Sequence, residues 1–285
     1  MSKRCNGKTD CSEDNSDEFN CTIFSHDNTY SAKHHPEDNS NDSNNNENKL
    51  VQVNVSMHIK NIFDINELSM EYKVRVLLTM EWYDPRITFR NLKDQKEENI
   101  ISLEESNHLW LPSLCFKNSN LGERTKVDSE TSFHIKKHGH YRHNKIKEIH
   151  EDYIYDGIEN PLVLSRYYTV ALTCGFELKL YPFDHQECPI ELEVPFEHAT
   201  HMKLFLASQP TYDNSIKFLQ YRFVDISTKA DNNSTTITAF LHLNRYVGTR
   251  FFKIQRAKEN LIFIRVIEIS FHTFGLICFC FANLW

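Results

Sequence analysis

Glycine is scarce in this chain, seven residues of 285, and no glycine-rich phosphate loop stands out. No Ser/His/Asp or Cys/His arrangement stands out either, so the sequence points to no enzyme. Excess positive charge is also lacking. There are 39 acidic residues against 32 basic ones, and the formal charge of −7 argues against nucleic acid as a partner. The amino terminus, MSKRCNGKTDC, lacks the apolar run of a secretory leader. That absence conflicts with eight cysteines, several beside acidic residues in short loops, which suggest an oxidising compartment. We therefore expect an extracellular chain whose true start is missing here, as in a fragment or an alternative gene model. No long helical period appears, and the length suits two domains or one large one.

What is present begins with CGFELKLYPFDHQEC, residues 174–188, where thirteen residues separate Cys174 from Cys188. Phe176, Leu178 and Leu180 alternate with polar residues and read as the end of a strand over 176–181. Pro182 cannot continue a central strand, so the chain turns there. A disulfide closing a loop of this size adds roughly 3 kcal/mol in the chain-entropy model. On spacing alone, this is a stapled loop in a secreted β protein.

The rest of the chain divides by composition. Residues 1–22 are short, acidic and cysteine-rich, and carry no apolar run from which to build a core. Residues 23–50 include HHPEDNSNDSNNNENK, a stretch too polar to bury surface, and read as a disordered linker. Glycosylation sequons begin at Asn20, Asn41, Asn54, Asn232 and Asn233. Val51, Val53, Val55, Met57 and Ile59 alternate with polar residues, as do Tyr72, Val74, Val76, Leu78 and Met80 up to Trp82. Further strands are expected at 167–173, 190–194, 216–226 and 235–243, with turn signals between them. This pattern predicts a mainly β fold, an immunoglobulin-like antiparallel sandwich over 51–252. Residues 253–285 form a divergent tail in which LIFIRVIEISFHTFGLICFCFANLW is apolar and about as long as a membrane span, but Arg265, Glu268 and His272 interrupt it.

The spacing of Cys174 and Cys188, with Tyr181-Pro182-Phe183-Asp184 and then Gln186 between them, resembles the signature loop of the pentameric Cys-loop ligand-gated ion channels. MEYKVRVLLTMEWYDPRI resembles that family's second strand and its W-x-D-P-R turn. LWLPSLCFKN resembles its W-x-P-D stretch, with Ser113 in place of the Asp and Cys115 in place of an aromatic. LHLNRYVGTRFF resembles its last extracellular strand. The resemblance covers about 51–252 and implies the family's extracellular ligand-binding domain, with Cys174 paired to Cys188. It further implies a channel subunit at the extracellular face of the plasma membrane. Its partners would be a small-molecule or ion ligand, the other subunits of a pentamer and the membrane. No similarity to the family's first membrane helix continues after Gln255, and the pore-lining helix is absent, so we expect a truncated subunit. A soluble or tethered ligand-binding decoy with the same sandwich is the alternative.

The resemblance also assigns residues. The family's coupling to the pore uses an acid between the first two strands, the signature-loop Asp and an Arg before the membrane. Glu67, Asp184 and Arg245 stand at those positions here, with Phe183 beside them. Opposite charges near a membrane surface form a two-state latch worth about 1–3 kcal/mol. At the ligand site, Leu77 stands where the complementary face usually has an aromatic, and Thr79 where anion-type receptors often carry Arg. Phe116 survives in the first principal-face loop, Phe196 is displaced by one residue, and Ser227 to Ala239 holds no aromatic. We expect no conventional amine or amino-acid transmitter to bind at this subunit's own face, since cation recognition there relies on aromatic rings.

Residues 1–22 resemble the carboxy-terminal half of an LDL-receptor class A repeat. That likeness implies a Cys5–Cys21 pair and Ca²⁺ ligation by Asn6, Asp10, Asp17 and Glu18 in a complete repeat. A disordered acidic stub is the other reading, and no other cofactor is implied. Between 119 and 160 the chain is longer than the family norm and carries His134, His138, His140, His143 and His150. A solvated basic loop is one reading. The other is a proton- or Zn²⁺-sensing set built on His138, His140 and His143. No cysteine or carboxylate arrangement completes such a site.

Overall fold

The computed structural model describes residues 22–36, 50–120, 125–141, 153–213, 220–230 and 235–246. The cysteine-rich segment with Cys5 and Cys21, the Ca²⁺ candidates Asn6, Asp10, Asp17 and Glu18, His143, His150 and the apolar tail 253–285 lie outside them.

The described residues form thirteen strands, in order: β1 Phe24–His26, β2 Val51–Asn66, β3 Glu71–Trp82, β4 Ile87–Arg90, β5 Cys115–Phe116, β6 Lys126–Ile135 and β7 Ile154–Asp156, then β8 Leu162–Thr173, β9 His185–Glu193, β10 Met202–Leu206, β11 Thr211–Tyr212, β12 Tyr221–Ala230 and β13 Thr236–Arg245. The one α-helix among the described residues is a single turn, Leu103–Ser106, closed by a capping box between Ser102 and Glu105. The larger sheet runs β10-β2-β3-β8-β6, with β11 also on β2. The second runs β12-β13-β9-β5, and a small third sheet is β1-β4-β7.

The alternations seen in the sequence form the core. Val53, Val55, Met57 and Ile59 of β2 and Val74, Val76, Leu78 and Met80 of β3 point inward. Ile190 and Leu192 of β9 and Ile237, Ala239, Leu241 and Leu243 of β13 also belong to this core. An irregularity in β2 between Ile59 and Asn61 shifts the phase, so Ile62 takes the next buried position. Two contacts tie the main sheets together. Cys174, just past β8, is disulfide-bonded to Cys188 in β9 with Cα atoms 5.1 Å apart. The Tyr72 hydroxyl on β3 donates to the Pro189 carbonyl on β9 at 2.7 Å.

The W-x-D-P-R turn organises the amino-terminal end. Asp84 is buried and accepts two hydrogen bonds from the Arg86 guanidinium, at 2.8 and 2.7 Å. Arg86 also donates to the His34 carbonyl at 2.8 Å and lies over the Tyr30 ring, 4.5 Å from its centroid. Burial pushes the Tyr30 hydroxyl up to about 12. Gly157 passes so close that a Cβ there would meet the Asp84 carbonyl oxygen at 2.1 Å and that of Ile87 at 2.7 Å.

Three expectations change. Residues 22–36 are packed on the domain: β1 pairs with β4, placing Phe24 opposite Phe89, both buried. The disordered linker expected over 23–50 therefore does not include them. Ile23, Phe24 and Tyr30 supply the apolar surface that the Asn/Ser-rich part lacks. Residues 176–181 form no strand. Phe176 is buried, but Leu178 and Leu180 face outward in a run of turns and find no partner strand. The sandwich is not wholly antiparallel either, since β10 and β11 both pair with β2 in parallel.

Candidate functional site

The stapled loop, the β2–β3 turn and the end of β13 meet at one end of the sandwich. Asn66 shapes the turn: its Oδ1 accepts from the backbone of Leu68 and Ser69 at 3.0 and 3.2 Å. Glu67 is thereby turned toward the body and Leu68 outward, at 98% exposure. In the stapled loop Gln186 acts as a brace. Its Nε2 donates to the Glu177 carbonyl at 2.9 Å, and its Oε1 accepts from the Glu177 backbone at 2.8 Å. The same Nε2 donates to Asp184 Oδ2 at 2.6 Å, fixing that carboxylate inside the loop.

Arg245 joins the three segments. Its Nε and Nη2 donate to the two Asp184 oxygens at 2.6 and 2.9 Å, a two-pronged pairing. Its Nη1 is 2.8 Å from Glu67 Oε1. Tyr221, opposite Arg245 in the β12–β13 register, donates its hydroxyl proton to Glu67 at 2.7 Å and accepts from Arg245 Nη2 at 2.6 Å. The guanidinium carbon lies over the rings of Tyr181 and Tyr221, 4.6 and 4.7 Å from their centroids.

The charges are sheltered, with side-chain exposure of 1% for Asp184, 9% for Arg245 and 22% for Glu67. Burial alone would raise the Asp184 carboxyl, but hydrogen bonds from Arg245 and Gln186 outweigh it and hold the group below its ordinary value. Arg245 is held above its ordinary value: burial opposes its charge, and the hydrogen bonds to Asp184 and Glu67 more than offset that. Burial and the hydrogen bond to Glu67 also raise the Tyr221 hydroxyl. With one cation between two anions, the cluster carries a local excess of negative charge.

Three of the four residues expected to couple, Glu67, Asp184 and Arg245, thus lie in one network. Phe183 does not join it. Its ring stands 70% exposed beside Leu180 at 72%, and with Leu68 they make an apolar rim at this end. An open groove lined by Leu68, Lys73, Leu178 and Tyr181 reaches the Glu67–Arg245 pair between turn and loop. Tyr181 and Gln186, named in the sequence only as part of the signature loop, and Tyr221, not named there, also belong to this cluster. Gln186 was visible within the signature loop, whereas the place of Tyr221 follows only from strand register.

The four expected ligand-site residues do not form an aromatic cage. Leu77 and Thr79 share the outward face of β3, where Thr79 Oγ1 is 2.9 Å from Ser165 Oγ. Phe116 is buried in β5, edge-on to Tyr168 with ring centroids 5.8 Å apart. Phe196 is 93% exposed in the turn after β9. The β3 face instead carries Arg75, bound to Asp128 at 2.6 Å and stacked 4.8 Å over Tyr167, the cross-strand neighbour of Leu77. Among the described residues, His138 and His140 enter no cluster of metal-ligating groups.

Residues 20–151 match the neurotransmitter-gated ion-channel ligand binding domain. A serotonin-gated chloride channel of Caenorhabditis elegans is 24% identical over 183 residues, 64% of this chain and 33% of the relative. A glutamate-gated chloride channel of Drosophila melanogaster is 27% identical over 140 residues, 49% of this chain and 26% of the relative. The epsilon subunit of the rat (Rattus norvegicus) gamma-aminobutyric acid receptor is 24% identical over 229 residues, 79% of this chain and 40% of the relative. The chain therefore spans between about a quarter and two fifths of the length of these relatives. Among the described residues, no helix is long and apolar enough to cross a membrane.

Proposed function

We propose that this ligand-binding domain of the Cys-loop type serves in a ligand-gated ion channel subunit of the anion-selective kind, at the extracellular face of the plasma membrane. One observation supports the reading above others. Arg245, at the end of the last strand, is bound at once to the signature-loop Asp184 and to Glu67 of the β2–β3 turn. A strand that leads toward a membrane and two loops at the same end are thus held by one guanidinium. Ligand-driven movement between the sheets strains that junction, and Phe183, Leu180 and Leu68 pass the strain to the membrane-held part. Relatives named for chloride conduction support the anion-selective kind.

The subunit works within a pentamer, whose head-to-tail interfaces close into a ring. Its own principal face does not take up a conventional transmitter, because Phe116 is packed away and Phe196 projects alone. Leu77 and Thr79, beside Arg75, instead form the complementary side of a site completed by a neighbour. Where residues 1–22 belong to a complete LDL-receptor class A repeat, with Cys5 paired to Cys21, Asn6, Asp10, Asp17 and Glu18 hold Ca²⁺.

The test is co-expression of the tagged full chain with a full-length glutamate-gated chloride channel subunit in oocytes. Recovery of both from the cell surface in one complex is the expected result. Secretion of the chain alone, as a complex with its own measurable transmitter affinity, would make it a decoy and sink the subunit reading.

A further inference from the structure

The outer face of the β9–β13 pair carries a second cluster, which the coupling reading does not use. His185 and Glu187 are two apart on β9 and so share its solvent face. His242 lies directly opposite Glu187 on β13, and Asn244 directly opposite His185. The two imidazoles stack with centroids 5.5 Å apart. One ligand atom from each of His185, Glu187 and His242 lies within 4.8 Å of the other two.

The outward ring nitrogens are both held by oxygens. His185 Nδ1 is 2.6 Å from Asn244 Oδ1, which only accepts, so the ring's proton sits on Nδ1. His242 Nε2 is 2.7 Å from Ser227 Oγ on β12. With these partners engaged, His185 Nε2 and His242 Nδ1 face each other at 3.4 Å, and Glu187 Oε1 stands 3.5 Å from the same Nδ1. Two imidazole nitrogens and a carboxylate oxygen thus lie within 4.8 Å of one another, and a cation placed among them is within reach of all three. For zinc bonds of about 2.0–2.1 Å, the edge between two ligands of a tetrahedron is roughly 3.3 Å, close to both spacings. The fixing of each ring by an oxygen on its far nitrogen is the arrangement that orients metal-binding histidines.

We infer that His185, His242 and Glu187 form a binding site for a divalent transition metal, with Zn²⁺ the best fit. Two imidazoles and one carboxylate suit Zn²⁺ and not Ca²⁺ or Mg²⁺, which need more oxygens. The site ties the start of β9 to the end of β13. His185 follows Asp184 directly, and His242 precedes Arg245 by three residues. The metal therefore clamps, from outside, the two strand ends whose inner sides carry the Asp184–Arg245 pair. The site stands whether or not the chain serves a channel, because it rests only on these strands.

The measurement is equilibrium dialysis of Zn²⁺ against the purified full chain, with Co²⁺ absorption to read coordination geometry. The expected result is an equivalent of Zn²⁺ that a large excess of Ca²⁺ or Mg²⁺ does not displace, and a tetrahedral Co²⁺ spectrum. His242→Ala and Glu187→Gln remove that equivalent, while the triple His138→Ala, His140→Ala, His143→Ala variant keeps it. Ser227→Ala leaves all three ligands in place and weakens binding by roughly 10–100-fold, as loss of an orienting partner does. It serves as the readout if His242→Ala does not fold. Wild-type Zn²⁺ affinity in Glu187→Gln and Ser227→Ala overturns the site. So does loss of the equivalent in the triple-histidine variant alone.

Discussion

Arg245 keeps its charge inside the protein because every direction it faces is answered: two carboxylates in the plane of the guanidinium and tyrosine rings over it. Removing one partner leaves the others buried without compensation, which costs more than the pair adds. Asp184→Asn is expected to lower unfolding stability by about 3 kcal/mol, read from urea denaturation. The pH dependence carries the same signature. Asp184 is held below its ordinary value in the folded chain, so its contribution is complete above that value. It is lost as pH falls through the depressed folded value. Wild-type minus Asp184→Asn stability should therefore be flat near neutrality and shrink below about pH 4, where the free carboxyl titrates. A difference that stays constant to pH 2 would contradict the assignment of that charge to Asp184. Gly157 makes a different claim at this scale. Gly157→Ala places a methyl group on two backbone carbonyls and is expected to lower the melting temperature by several degrees. An unchanged melting temperature would show that the Asp84 turn yields without cost.

Among the elements, the loop from Cys174 to Cys188 has the most to hold, since it crosses between the sheets and carries Asp184. Cys174→Ser with Cys188→Ser is expected to cost roughly 3 kcal/mol, from the chain entropy released by a loop this long. A loss below about 1 kcal/mol would mean that Gln186 braces the loop without the covalent bond. This element also shows where reading the sequence succeeds and fails. The cysteine spacing and the Pro-Phe-Asp tip were legible, and so was the meeting of Glu67, Asp184 and Arg245, through family likeness. The strand expected over 176–181 was not correct, because alternation reports which faces differ in polarity and says nothing of a partner strand. Leu178 and Leu180 alternate toward solvent. Histidines show how distance hides a cluster. The crowded run from His134 to His150 draws attention by density, whereas His185 and His242 are 57 residues apart and meet only through strand register.

For the whole molecule, the periodic stretches were legible because period-two alternation is local: β2 and β3 fall where the sequence placed them. Sheet order was not legible. The parallel additions of β10 and β11 and the docking of β1 on β4 depend on distant segments. The same distance hid Tyr221, whose hydroxyl completes the cluster only because β12 begins opposite the end of β13. At this scale the proposed function holds that three segments tied by one arginine set the balance between resting and open states of an assembled receptor. Its most direct measurement is the activation midpoint of receptors in which this chain is co-assembled with full-length chloride-channel subunits. Arg245→Gln, at unchanged surface abundance, is expected to shift that midpoint by about fivefold or more, the range of a 1–3 kcal/mol coupling. Asp184→Asn added to it should shift it little further, because the two residues act as one unit. An unmoved midpoint in Arg245→Gln, with the receptor normally assembled at the surface, would contradict the account.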